Sequence, residues 1–137
     1  MIYTLDTNVL VDALRQPAEL DRLKAFLGWA LPSTVLSSVV VAELTAGART
    51  PKAREALEKQ FLAPFDRRGR IRAPGDASWR RAAQTLGIAS GGEFNDALLA
   101  CQAREHGWTI VTRDADFGAL RRSVSGLKVA EPFPARS

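Results

Sequence analysis

The chain has 137 residues, 46% of them hydrophobic and 25% charged, with a net charge of +4. That length buries a real core without disulfides or a structural metal, and the balance is that of a globular domain rather than a disordered or fibrous chain. The single Cys101 excludes an internal disulfide and reads as a buried, inert thiol in a reducing compartment, and no apolar run approaches the length of a membrane span.

The chain opens "MIYTLDTNVL". Ile2–Leu5 reads as a short apolar strand, and Val9, Leu10 and Leu14 resume at helical spacing. Asp6 therefore stands where a strand ends and a helix begins. It either caps that helix, together with Thr7 or Asn8, or serves as a metal ligand at the edge of a sheet. Asp6 and Asp12 also interrupt the only candidate N-terminal apolar run, so no signal peptide is visible and a cytoplasmic location is expected. Further strands are expected at Thr34–Leu36, Trp108–Thr112 and Leu127–Ala130, with Arg70–Arg72 as another candidate. Helices are expected at Glu19–Ala30, Val39–Ala48, Pro51–Phe61, Ala77–Ile88 and Phe94–His106. Ser37 or Ser38 precedes "VVVAEL", Pro51 opens its helix, and Gly107 follows Phe94–His106. Such alternation predicts an α/β fold, a central parallel sheet of four to five strands flanked by helices in an α/β/α arrangement. One domain is expected over residues 1–137, with 131–137 as a surface tail.

Five acidic residues keep apolar company. Asp6 follows the first strand, Glu43 interrupts "VVVAEL", Asp96 opens "DALLA", and Asp114 and Asp116 follow "WTIVT". On the expected fold, Asp6, Asp114 and Asp116 lie at the carboxyl ends of strands, where open α/β sheets bind ligands. Glu43 and Asp96 are placed in the first turns of helices leaving the same edge, where the helix dipole also favours them. Crowded carboxylates repel unless a cation neutralises them. Oxygen ligands without a Cys or His cluster point to a hard ion, Mg²⁺ or Mn²⁺. Setting these five aside leaves 19 cations facing 10 anions, an acidic pocket in a basic surface. That division suits a polyanion reaching the carboxylates through metal.

With those residues in view, the sequence resembles the PIN-domain ribonucleases, and within them the VapC toxins of VapBC type II toxin–antitoxin pairs. "LDTNVLVDAL", "SSVVVAELTAG", "NDALLACQAREHGWTIVTRDADF" and "GLKVAEPF" carry the resemblance, in order over nearly the whole chain. It implies a PIN fold and an endoribonuclease that needs Mg²⁺ or Mn²⁺. Asp6 and Asp96 match the family's main metal-binding acids, Glu43 its acid after the second strand, and Asp114 the one after the fourth. Asp116 matches a more variable position. Thr7, Asn8 and Thr112 match polar positions that support the site by hydrogen bonds. The resemblance further implies a homodimer, inhibition by a VapB-type antitoxin held in a groove beside the early helices, and contact with operator DNA only through that antitoxin. It leaves open whether one metal ion or two are used.

Arg113 is expected as a phosphate contact, and Arg104, two turns after Asp96, as a second. The lone His106 stands outside every motif, so a metal-free route using paired histidines has no support. Trp29, Trp79 and Trp108 are expected to pack in the core. A haloacid-dehalogenase-like phosphatase also begins strand–Asp, but Asn8 stands where its second Asp would be needed. A non-catalytic metal- or partner-binding PIN module is the alternative from another class, and it predicts metal binding without cleavage.

Overall fold

The computed structural model describes residues 1–88 and 93–136. Its chain order is β1 (Ile2–Leu5), α1 (Thr7–Arg15), α2 (Pro17–Ala30), β2 (Thr34–Ser37), α3 (Ser38–Gly47), α4 (Pro51–Leu57), α5 (Ala63–Asp66), β3 (Ile71–Arg72), α6 (Asp76–Ile88), α7 (Phe94–His106), β4 (Trp108–Val111), α8 (Asp116–Ser123) and β5 (Lys128–Ala130). A wider π-type turn, Glu58–Leu62, joins α4 to α5. The strands form one sheet in the order β3-β2-β1-β4-β5, every pairing parallel. The expected parallel α/β/α fold is therefore the one observed.

Local chemistry sets the boundaries. Asp6 caps α1, accepting from the Thr7 N–H at 2.8 Å. Ser37 caps α3 through the Val39 N–H, and Thr50 caps α4 ahead of Pro51. Gly107 ends α7 at φ 73°, a left-handed turn that glycine adopts without steric cost. Trp108–Val111 is buried along its whole length, as befits a strand covered on both faces.

On one face Tyr3 meets Phe26 and Trp29 of α2 edge-on, at 5.4 and 6.2 Å between ring centroids. On the other, α7 is buried from Ala97 to Ala103. It packs against β4, α6, α3 and α8. Gln102 is its buried polar residue. It accepts from the Ser37 hydroxyl at 2.5 Å and donates to the Arg72 carbonyl at 3.0 Å, tying the ends of β2 and β3 to the helix.

Some expectations are corrected here. Glu43 lies in the second turn of α3, whose first turn contains no acid, so the helix dipole does not account for it. Trp79 is 49% exposed and rests on Phe94, whereas Trp108 is buried and stacks on His106. Residues 116–123 form a helix not anticipated from the sequence. The segment after β5 lies against α2, with the Phe133 ring 5.3 Å from that of Phe26. Residue 137 of the expected tail lies outside the described residues.

Candidate metal centre

The chain order places β1 at the centre of the sheet, with β2 on one side and β4 on the other. Connections leave in opposite directions there, and the crevice beyond the carboxyl ends of β1 and β4 is the topological switch point where open α/β sheets bind ligands. Leu5 lies opposite Val111 across this seam, and the Asp6 N–H donates to the Val111 carbonyl at 3.0 Å. Residue 6 and the segment after residue 111 are thereby fixed side by side.

Thr112 organises the pocket. Its hydroxyl donates to Asp6 Oδ2 at 2.8 Å and accepts from the Asp114 N–H at 3.0 Å. Asn8 Nδ2 also reaches this hydroxyl at 3.3 Å, and Asn8 Oδ1 accepts from the Arg113 N–H at 3.4 Å. Asp114 Oδ1 then accepts from the Asp116 N–H at 2.9 Å, curling the loop into α8. Thr7 donates its hydroxyl to Glu43 Oε1 at 3.0 Å, so α3 is bound to the start of α1. Each of the three polar residues expected near the acids thus contacts one of them or the loop that carries them.

Asp96, in the first turn of α7, completes the group. One carboxylate oxygen from each of Asp96, Asp114 and Asp116 lies within 4.8 Å of the others. A Mg²⁺ ion with bonds of about 2.1 Å holds its oxygens roughly 3–4 Å apart, so separations of up to 4.8 Å would close by at most about 2 Å for the three to share one. Asp6 lies deeper, 5% exposed, with both oxygens already hydrogen-bonded. Asp116, from sequence the least certain of the five, is within the converging set.

The electrostatics favour a cation. Burial, then the charges of Asp6, Asp114, Glu43 and Glu93, push the Asp96 carboxyl up to about 7. Burial likewise raises Asp6, opposed by its hydrogen bonds from Thr112 and Thr7 and reinforced by Glu43 and Asp114. These acids feel one another, and the all-oxygen donor set suits a hard divalent ion.

The two arginines have other partners. Arg104 sits at the C-terminal end of α7, about 12 Å along the axis from Asp96, and donates to the Ser125 carbonyl at 3.0 Å. It is therefore not beside Asp96. Arg113 is paired with Asp12 and Glu19. Sequence reasoning passed over both of these acids, because their meeting with Arg113 depends on how α1 and α2 cross and no spacing reveals it.

A parallel sheet in this order, with acids gathered at its switch point, defines a PIN-type domain. The PIN-domain family model matches residues 3–123, and the chain belongs to the PIN-domain family. It is 32% identical over 142 residues to the plasmid stability protein StbB of Pseudomonas syringae pv. tomato (strain ATCC BAA-871 / DC3000), covering 96% of this chain and 98% of that protein. The structure of FitAcB from Neisseria gonorrhoeae superposes with a TM-score of 0.74 at 28% identity, over 96% of this chain and 98% of that one. The DNA-bound VapBC structure from Salmonella typhimurium gives 0.72 at 18% identity, over 97% and 100%, a likeness of fold.

Proposed function

We propose that this protein is the toxin of a type II toxin–antitoxin pair, a metal-dependent endoribonuclease that hydrolyses RNA phosphodiester bonds. The observation that carries the reading is the convergence of Asp96, Asp114 and Asp116 beside buried Asp6 at the switch point of the sheet. These four would hold Mg²⁺ or Mn²⁺. When bound, the ion supplies a nucleophilic water at neutral pH and offsets charge gathering at the phosphorus. One carboxylate, Glu43, which accepts from the Thr7 hydroxyl, or Asp96, would take up the proton of that water. Thr112 and Asn8 keep the acid-bearing loops in register.

The toxin role is supported by the VapC-like motifs and by the likeness to a protein named for plasmid stability. A VapB-type antitoxin is the expected inhibitor. An apolar groove of about 560 Å³ beside α2, lined by Leu20, Leu23, Leu27, Phe61 and Phe65, suits the apolar side of its peptide. The reading includes a homodimer and action in the cytoplasm. No helix among the described residues is long and apolar enough to cross a membrane.

Cleavage of total RNA by the purified protein tests the proposal, with Mn²⁺, with Mg²⁺ and with chelator, beside an Asp6→Asn variant. Discrete cuts that vanish with chelator and with the variant are expected. Metal binding without cleavage, from folded protein free of antitoxin, would favour the non-catalytic module instead.

A further inference from the structure

Arg113 lies between Thr112, whose hydroxyl joins Asp6 to the Asp114 N–H, and Asp114 itself, yet its side chain pairs with acids outside that group. Its Nε meets Asp12 Oδ2 of α1 at 3.0 Å, and its Nη2 pairs with Glu19 of α2. Glu19 is in turn held by Arg22 at 3.1 Å. Arg22 donates to the Pro132 carbonyl at 2.9 Å and lies over the Phe133 ring, 5.5 Å from its centroid. The four side chains balance in charge, so this group has no excess positive charge to offer a phosphate. The exposures of Arg113, Asp12 and Glu19 are 35%, 30% and 17%, and pairs so placed add little stability. What they can fix is position. The loop is also held by Asn8, by the Thr112 hydroxyl on Asp6, by the Thr112 N–H on the Ala130 carbonyl and by bonds within itself, while the guanidinium ties it to α2.

We propose that Arg113 is a positioning residue: Asp12 and Glu19 grip its guanidinium and so set the Thr112–Asp116 loop where Asp114 and Asp116 meet Asp96. This rests on reading those acids as a metal site. Outer contacts that orient metal ligands typically alter affinity by roughly 10–100-fold when removed. A lysine or glutamine at residue 113 cannot reproduce a fork that serves two carboxylates at once.

Calorimetric titration of the full chain with MnCl₂ tests this, together with binding of a single-stranded RNA oligonucleotide in chelator at several salt concentrations. Arg113→Gln is expected to weaken Mn²⁺ binding about 10-fold or more. The Asp12→Asn/Glu19→Gln pair, which releases the same grip from the other side, is expected to match it, and all three changes together to go no further. RNA affinity in chelator is expected to be that of the parent for Arg113→Gln, and no weaker than the parent's for the acid pair, which frees two arginines from their carboxylates. Unchanged Mn²⁺ affinity in Arg113→Gln would overturn the proposal. So would a loss of RNA affinity with a salt slope lower by about one in Arg113→Gln but not in the acid pair, the mark of a phosphate contact. An Asp96→Asn control that bound Mn²⁺ as the parent does would bring down the metal reading and this proposal with it. Failure of Arg113→Gln alone leaves the metal reading standing.

Discussion

Replacing Asp96 with asparagine should make the metal-free protein more stable at alkaline pH, although it removes a residue from the centre of the proposed site. A carboxyl with its midpoint at 3.8 in the unfolded chain and about 7 in the folded one binds more protons when folded throughout that interval. Stability therefore falls as pH rises from about 4 to about 7, and the whole penalty is present above that. The span between the two midpoints corresponds to about 4 kcal/mol at 1.36 kcal/mol per pH unit. The carboxylate is only half-buried, so solvent screening brings this to about 1–2 kcal/mol. Asparagine is free of the penalty and also relieves Asp6, while giving up the favourable helix dipole at the start of α7, worth less than ~1 kcal/mol. The melting temperature of Asp96→Asn in chelator at pH 8 should exceed that of the parent by about 4–8 °C, and the gap should shrink towards pH 4. Adding Mn²⁺ should reverse the order, since the parent alone gains the full binding energy. Equal melting temperatures in chelator at pH 8, or a gap independent of pH, would refute the argument that burial and crowding strain this carboxylate.

Thr112→Val keeps the shape of the side chain but removes the hydroxyl shared by Asp6, Asn8 and the Asp114 N–H. Mn²⁺ affinity should drop by about 10-fold, read by calorimetry, with the far-ultraviolet circular dichroism unchanged. Gln102→Leu removes the acceptor of the buried Ser37 hydroxyl and the donor to the part-buried Arg72 carbonyl. It should cost about 1–3 kcal/mol in urea unfolding, and a loss below about 0.5 kcal/mol would show that water or a neighbour replaces the lost bonds.

The parts of the fold legible in the sequence are those whose signal is local. Ile2–Leu5 and Trp108–Val111 are apolar runs with clear limits, and Gly107 marks the end of α7 by its own backbone. The acids stood out because each adjoins or interrupts an apolar segment, and the structure brings them to one sheet edge. What was missed depends on contacts between distant segments. The helix at 116–123 buries Phe117 and Leu120, too few apolar positions to show a period. The second-turn place of Glu43 was itself legible, since Ser37 or Ser38 as the boundary and a helix starting at Val39 already put it beyond the first turn. Arg113 stood next to an acid in sequence and looked available for phosphate, while its partners came from α1 and α2, about a hundred residues away.

The central position of β1 also governs when the carboxylates can come together. β1 pairs with β2 on one edge, and its partner on the other edge does not exist until residues 108–111 have been made. Asp6 and Glu43 are present in a half-made chain, whereas Asp96, Asp114 and Asp116 are not. A nascent product that stops before residue 96 lacks all three converging carboxylates, whatever it has already folded. For a protein whose proposed activity destroys RNA, the strand order acts as a timer: the site cannot assemble until residue 116 has been made.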